Sequence, residues 1–445
     1  MNLLAQLREF HRVRRALSYD DEQLRRVQGE RLRALVVHAY ASVPYYRQRL
    51  DELGVTPDAV RGVEDLAKLP ILARAELQAA DPDALISERW RRTRLAREQT
   101  SGSSGRPFVM HLDEPYRRMR KALFLRALMD CGYRPGRRLL IVTTRERRGV
   151  PTWLGWRYLS YSDPPRQNVD EHNRRRPHVL YGWVTPIRQM AETARAAGLR
   201  LHAPRAVITT AETLDPATRQ LLTQTFNCPV CEIYGLTETG TIAWQSPGHE
   251  HFRVSHESMI VEFLPPRDAD GDEHEVGAAG TARRVVVTNL GLWSMPLIRY
   301  DTGDLATPAY TAIPATPAYT ARPGASSVAL PAIERIDGRQ VDCVRVGEGR
   351  VVSPFELTMA MEKVPGVVRY QIVQDAPEHV TVRYEAHAGS AASAAATVPA
   401  AARAMRDVLG PRVRVDVRRE ASLDPAPGSK FRVVQSRMRE QGVTS

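Results

Sequence analysis

Between Arg137 and Gly240, short apolar runs alternate with longer stretches of helical spacing, and this alternation limits the possible folds more than any other feature. Leu139–Thr143, a strand or turn near Val179–Tyr181, Ala206–Thr210 and the run into Ile233 read as strands, because they are short, apolar and rich in β-branched residues. About Pro186–Ala197 and Asp215–Phe226 read as helices. Strands that alternate with helices build a parallel sheet covered on both faces, so this part is α/β. Ligands of such sheets bind beyond the carboxyl ends of the strands. Glu212 follows one such end, and the stretch Cys228-Pro-Val-Cys-Glu-Ile-Tyr-Gly-Leu-Thr-Glu-Thr-Gly240 supplies another. There Gly235 is expected to end the strand, by a tight turn or a close backbone approach. Thr237, Glu238 and Thr239 follow it, two hydroxyls around one carboxylate. A hydroxyl can bond a phosphate oxygen, and a lone carboxylate can hold Mg²⁺ that keeps waters and phosphate oxygens. A Gly-Leu-Thr-Glu turn is also common as a plain turn.

The chain has 445 residues, enough for two or three domains. Its hydrophobic content is 43% with a mean hydropathy of -0.37, which fits a soluble globular protein. No apolar run reaches the length of a membrane span. The first ten residues turn charged too early for a signal-peptide core, so the expected location is cytoplasmic. Cys131, Cys228, Cys231 and Cys343 are too scattered for a disulfide framework. Cys228 and Cys231 raise zinc, but residues three apart on a strand face opposite ways, and buried core thiols are the expectation. The formal charge is +12. The arginines are spread along the chain, and clusters such as Arg174–Arg176 lack interleaved aromatics. That pattern points away from nucleic acid and towards a solvated surface with some attraction for phosphorylated small molecules.

Residues 1–99 read as a mostly helical cap. Thr100-Ser-Gly-Ser-Ser-Gly-Arg-Pro107 is either a flexible linker or a loop whose amides and hydroxyls wrap an anion; the Gly-Lys-Ser/Thr ending of a Walker loop is missing. It enters the extended Phe108–His111 and precedes a helix at about Pro115–Cys131, which places it inside a fold. Strands follow at Met259–Leu264, Arg284–Thr288 and Pro296–Tyr300, the last leading to a turn, Asp301-Thr-Gly-Asp304. Asp304 there suits a ribose diol or a plain Asx turn. Residues 306–332 hold an imperfect Thr-Pro-Ala-Tyr-Thr-Ala repeat, a Pro/Ala-rich insertion. After Arg339 a small α+β unit of roughly a hundred residues begins, with a hairpin near Val341–Val352, helices near Pro354–Lys363 and Pro399–Leu409, and strands at Val367–Val373, His379–Tyr384 and Arg412–Val417. Lysine occurs only at Lys68, Lys121, Lys363 and Lys430. Lys430, in the loop Pro425-Ala-Pro-Gly-Ser-Lys430, is a compact ammonium in a chain that otherwise uses arginine; chance is the competing explanation.

The ordered series Thr100-Ser-Gly-Ser-Ser-Gly105, Ala211-Glu212, Tyr234-Gly-Leu-Thr-Glu238, Tyr300-Asp-Thr-Gly-Asp304, Gly338-Arg339 and Gly428-Ser-Lys430 resembles the adenylate-forming superfamily of acyl-CoA ligases, carrier-protein adenylation domains and luciferases. Val43-Pro-Tyr-Tyr46, Leu66-Ala-Lys-Leu-Pro-Ile71 and Arg176-Pro-His-Val-Leu-Tyr-Gly182 resemble the phenylacetate-CoA ligase branch, which includes capsule-associated proteins. Each motif is weak alone, but six in order are specific. The resemblance implies a large N-terminal adenylate-forming domain over residues 1–339, with parallel-sheet layers and a β-rich subdomain. It also implies a small mobile α+β lid over 340–445. Thr100, Ser101, Gly102, Ser103, Ser104 and Gly105 would hold the ATP phosphates, Ala211 and Glu212 would lie against adenine, and Tyr234, Gly235 and Leu236 would line the nucleotide site. Thr237 would contact the phosphates, Glu238 would bind Mg²⁺, Asp304 and Arg339 would hold the ribose, and Lys430 would neutralise charge between carboxylate and α-phosphate. Tyr181, Gly182 and Trp183 are candidates for the acyl pocket on position and aromatic character, or else core.

The implied function is adenylation of a carboxylic acid, aromatic by resemblance, followed by acyl transfer to a thiol, with CoA as the expected acceptor. An amine, a carrier protein or another nucleophile is the alternative acceptor, and a non-catalytic basic binding protein is the alternative of another class. Homodimers are common in the resembled branch. The hinge carboxylate usual two residues after the Gly-Arg arginine is Val341 here, with Asp342 next. Some relatives in the resembled group hold a structural zinc with a Cys-x-Cys between these two motifs; no cysteine lies between Asp304 and Arg339 here, so the resemblance implies no zinc.

Overall fold

A computed structural model describes residues 3–91, 95–99, 108–143, 155–267, 276, 281–309, 332–347, 350–361, 363–386, 391–423 and 431–438. Its centre is a sheet of seven strands in the order Trp156–Ser160, Leu139–Thr143, Val179–Trp183, Ala206–Thr210, Val230–Leu236, Gly240–Gln245 and Arg253–Val254. The first five run parallel, and the last two each pair antiparallel with the strand before, so that only Gly240–Gln245 runs against the rest. Leu139–Val142 and Ala206–Thr209 are buried on every residue, as strands covered on both faces must be. Ile187, Met190, Ala191 and Ala194 of the helix Val184–Ala196 cover one face, while Ala127 and Leu128 of the helix Glu114–Asp130 belong to the core on the other. Asp215 caps the helix Pro216–Phe226 by accepting from Thr218 N at 2.7 Å, and Asn227, at φ 50°, ends it in the left-handed region that Asn tolerates. All four cysteines are free and buried, as expected.

A second, antiparallel sheet follows in the order Met259–Leu264, Arg283–Asn289, Tyr300–Pro308 and Ile333–Arg339. Here two expectations are corrected. Pro296–Arg299 is not a strand, and Asp301–Asp304 is not a turn between elements but lies inside the strand Tyr300–Pro308. Val286 pairs with Asp301 and Arg284 with Leu305, so three residues, Thr302–Asp304, oppose Val285 alone. This bulge takes φ 73° at Gly303, and Asp301 and Thr302 side chains accept from the Gly303 and Asp304 amides at 2.9 and 3.1 Å.

The N-terminal helical region packs into this sheet. Asp20 and Gln23 form a reciprocal capping box at the start of the helix Asp21–Ser42, whose Leu32, Leu35, Val36 and Ala39 are fully buried at helical spacing. Leu72 N donates to Arg299 O, and Asp301 N to Leu72 O, both at 2.9 Å. Arg299, at φ 50°, forms a buried bidentate pair with Glu262 (Nε–Oε2 3.0 Å, Nη2–Oε1 2.8 Å) and donates to Leu69 O at 2.6 Å.

The C-terminal residues surround a third sheet, ordered Arg414–Arg419, His379–Ala386, Val367–Ala376 and Val434–Ser436, with its own core of Leu357, Ile372, Val380, Val382, Ala401 and Met405. The expected hairpin is present as Val344–Arg345 with Val351–Val352. The second helix starts earlier than expected, at Ala391, and contains Pro399.

Candidate active site

The strand Val230–Leu236 does not end at Gly235. It continues to Leu236, turns over Thr237–Thr239 and returns as Gly240–Gln245. Gly235 is required by a close approach: a Cβ there would lie 2.4 Å from Gly240 O, beside the register shift between Tyr234 and Gly235. Tyr116, wholly buried, holds the turn from below. Its hydroxyl donates to Thr239 O at 2.9 Å and accepts from Asn289 Nδ2 at 2.6 Å. Burial pushes the Tyr116 phenol up to about 12. Thr239 is therefore a structural residue, fully buried, while Thr237 is half-buried at the tip.

Glu238 is only 3% exposed, yet its carboxylate is not isolated. Arg74 Nη1 lies 3.4 Å from Oε1, and the Tyr300 hydroxyl donates to the same oxygen at 3.3 Å. Elsewhere in the cluster, the Tyr234 hydroxyl donates to Asp304 Oδ2 at 2.8 Å, and Arg339 Nε lies 3.5 Å from Oδ1. Asp304 and Arg339 are cross-strand partners, so sheet register sets this pair. Burial raises the Asp304 carboxyl, opposed by Arg339 and the Tyr234 hydrogen bond. For Arg339 burial works against the charge, but Asp304 and Asp342 outweigh it and the net shift is upward. Asp301 faces elsewhere and accepts from Arg284 at 3.0 Å. Of the two carboxylates in that motif, only Asp304 joins the cluster.

Thr100–Gly105 and Lys430 lie outside the described residues. The strand Ala96–Gln99, which leads into the first, pairs antiparallel with Val109–Leu112. Its Glu98 bonds Arg120 at 2.9 Å, and the Arg120 side chain lies against Gly240. The strand Ala96–Gln99 thus lies beside the Glu238 turn.

No family model matches the chain. Phenylacetate-coenzyme A ligase of Thermus thermophilus is 30% identical over 365 residues, covering 79% of this chain and 78% of that protein. The chain belongs to the phenylacetate-CoA ligase family. It is thereby an adenylate-forming ligase of the AMP-forming acid–CoA type, as the ordered motifs implied. Protein CapK of Staphylococcus aureus is 22% identical over 341 residues, 72% of this chain and 69% of its own. A crystal structure of 2-hydroxyisobutyryl-CoA ligase in the postadenylation state, in complex with R3-HIB-AMP, shares the fold with a TM-score of 0.75 at 20% identity, over 96% of this chain and 92% of that one.

In this phenylacetate-CoA ligase family member, Ala211 follows the strand Ala206–Thr210 at φ 70°, left-handed and exposed, a conformation that costs a non-glycine residue about 1–2 kcal/mol. Glu212 turns back, and its Oε2 accepts from Thr185 N at 2.7 Å at the start of the helix Val184–Ala196. Tyr181, Gly182 and Trp183 end the strand Val179–Trp183 beside Ala206–Thr210. Tyr181 packs edge-on to Phe124 at 5.3 Å and Trp183 lies 6.0 Å from Tyr161. Gly182 is buried where a Cβ would meet Val142 O at 2.9 Å. Arg74, Tyr116, Asn289 and Tyr300 escaped the sequence reading as site residues. Only Tyr300, next to the Asp301–Asp304 motif, carried a local signal.

The donor set fits a nucleotide and its metal. Asp304 and Arg339 pair a buried acceptor with a cation. Glu238 offers one carboxylate, as suits Mg²⁺ that takes its remaining ligands from phosphate and water. Among the described residues no group of three His, Cys, Asp or Glu forms a self-sufficient metal cage.

Proposed function

We propose that this ligase couples ATP to an aromatic carboxylic acid, releasing pyrophosphate, and transfers the acyl group from acyl-AMP to CoA. The observation that carries the reading is the Tyr234–Asp304–Arg339 cluster beside the Glu238 turn, at the carboxyl edge of the parallel strands. In the first step a carboxylate oxygen attacks the α-phosphorus, and the bond to the bridging oxygen breaks as pyrophosphate leaves with its electron pair. In the second, the CoA sulfur attacks the acyl carbon, AMP leaves with the C–O electrons, and the thiol proton passes to solvent. The reacting groups of the first step are anions, so the protein works by positioning and by positive charge. Asp304 accepts from the ribose while Tyr234 and Arg339 fix its carboxylate. Thr100–Gly105 and Thr237 donate to phosphate oxygens, and Ala211 opens its exposed backbone to the base. Glu238 holds Mg²⁺, which when bound supplies charge at the phosphates. Lys430 neutralises the developing charge at the α-phosphate.

Residues 1–339 then act as the adenylating domain and 340–445 as a lid that carries Lys430. The acid binds near Trp183, at the same sheet edge as Ala211. No helix among the described residues is long and apolar enough to cross a membrane. We infer a cytoplasmic enzyme without nucleic-acid partners, in a branch where homodimers are common.

The test is ATP–pyrophosphate exchange over a panel of aryl and alkyl acids, followed by acyl transfer to CoA and to amines. Exchange is expected with one aromatic acid, to fall roughly 10²- to 10³-fold in Glu238→Gln, as when one electrostatic donor is lost, and to fall comparably in Lys430→Ala. Failure of ATP to bind would falsify the reading, and amine acylation without thioester formation would move the acceptor.

A further inference from the structure

A second charge pair lies just past Arg339. Gln340–Asp342 form one 3₁₀ turn, closed by Cys343 N donating to Gln340 O at 3.3 Å. Val341, where the usual hinge carboxylate is missing, is 40% exposed. Asp342 is largely buried and accepts from the guanidinium of Arg432. Arg432 is two residues after Lys430 in sequence and enters the edge strand Val434–Ser436.

The residues around Arg432 are held as well. The Phe431 ring lies under the Arg369 guanidinium, 4.0 Å from centroid to Cζ, and Arg369 is 7% exposed with Glu385 at 3.9 Å. Gln371 Nε2 donates to Arg432 O at 3.1 Å, and Ile372 N to Val433 O at 2.8 Å. Three successive residues after Lys430 are thus anchored by side chain or backbone. On the other side, Arg339 separates Asp342 from Asp304. A row of alternating charges runs Asp304, Arg339, Asp342, Arg432, from the nucleotide cluster to the residues that follow Lys430. Burial raises the Asp342 carboxyl, and Arg432 is the main group opposing it.

We propose that Asp342 takes over from the missing carboxylate at position 341 as a positioning residue. Its pair with Arg432 fixes the chain beyond Lys430 relative to Arg339 and the nucleotide cluster. This rests on the proposed role of Lys430 in adenylation. The pair serves the first half-reaction, where Lys430 acts, more than the second. Neither Asp342 nor Arg432 touches the substrate in this role, so loss of the pair lowers turnover rather than ATP affinity.

Asp342→Asn, Arg432→Met and the exchanged pair Asp342→Arg with Arg432→Asp separate this from a merely structural contact. In both single variants, kcat of ATP–pyrophosphate exchange is expected to fall at least tenfold more than acyl transfer to CoA from supplied acyl-AMP, with KM for ATP within about twofold of wild type. The exchanged pair is expected to recover part of the loss. A second measurement is independent of catalysis. Endoproteinase Lys-C has four sites here, Lys68, Lys121, Lys363 and Lys430. Cleavage after Lys430 is expected to be several-fold faster in each single variant and slower again in the exchanged pair, with the other three sites unchanged. Equal loss in both half-reactions, or cleavage after Lys430 that does not respond, overturns the assignment. If Lys-C shows the clasp while the wild-type enzyme exchanges no pyrophosphate with any acid, the adenylation reading fails and the positioning contact stands.

Discussion

Glu232 sits two residues before Tyr234 on the strand that carries the Glu238 turn, and its replacement by glutamine isolates the effect of one buried charge. The side chain is 8% exposed. Burial raises its carboxyl from 4.5 to about 7, with Arg219 at 3.2 Å pulling the other way. A carboxyl raised on folding favours the protonated form. It costs nothing well below the unfolded value; the loss of stability grows as pH rises from the unfolded to the folded value and levels off above it. With those two values the linkage relation places the cost of holding this carboxyl in the fold at about 1 kcal/mol at pH 5 and about 3 kcal/mol at pH 8. Glu232→Gln keeps the shape and removes the charge. Arg219 keeps its bonds to Val230 O at 2.7 Å and Gln245 Oε1 at 2.8 Å, so no cation is stranded. Urea unfolding of both proteins at pH 5 and pH 8 is the assay. The variant is expected to be more stable by up to about 3 kcal/mol at pH 8, with most of the gap gone at pH 5. A variant less stable than wild type at pH 8, or a gap of equal size at both pH values, refutes the reasoning and means that attraction to Arg219 outweighs the cost of burial.

Tyr234→Phe removes a hydrogen bond to a buried charged carboxylate, worth about 1.5–3 kcal/mol; KM for ATP in the exchange assay is expected to rise roughly ten- to a hundredfold, and an unchanged KM takes Asp304 out of the nucleotide site. Arg299→Met leaves Glu262 buried without its bidentate partner and is expected to cost about 3–5 kcal/mol of unfolding free energy; a loss below about 1 kcal/mol, read by urea denaturation, shows that the pair does not hold the N-terminal region to the sheet.

The chain order of strand, helix and strand from Leu139 to Ile233 was legible because each element carries its own period and its own end signals, such as Asp215 before Pro216. The candidate site motifs were legible for a similar reason: they are contiguous, and Thr237 and Glu238 follow directly on the strand Val230–Leu236. The hairpin after Leu236 was not. Gly235 signals a backbone that needs space, and the same signal serves for a turn or for a close approach to another strand. Only the position of Gly240 O decides between them. The bulge at Thr302–Asp304 was hidden likewise, since the residues of an Asx turn look alike between strands and inside one. The partners of Glu238 depend on distances through space. Arg74 is 164 positions from it in sequence and reaches it because Leu72 bridges Tyr300 across the sheet edge. The sequence by itself thus determined the strand–helix order and the contiguous motifs, while the tertiary structure decided which carboxylates were buried and which partners they met. Charge pairing acts over a few ångströms, and the chain brings those atoms together only when the sheets are assembled.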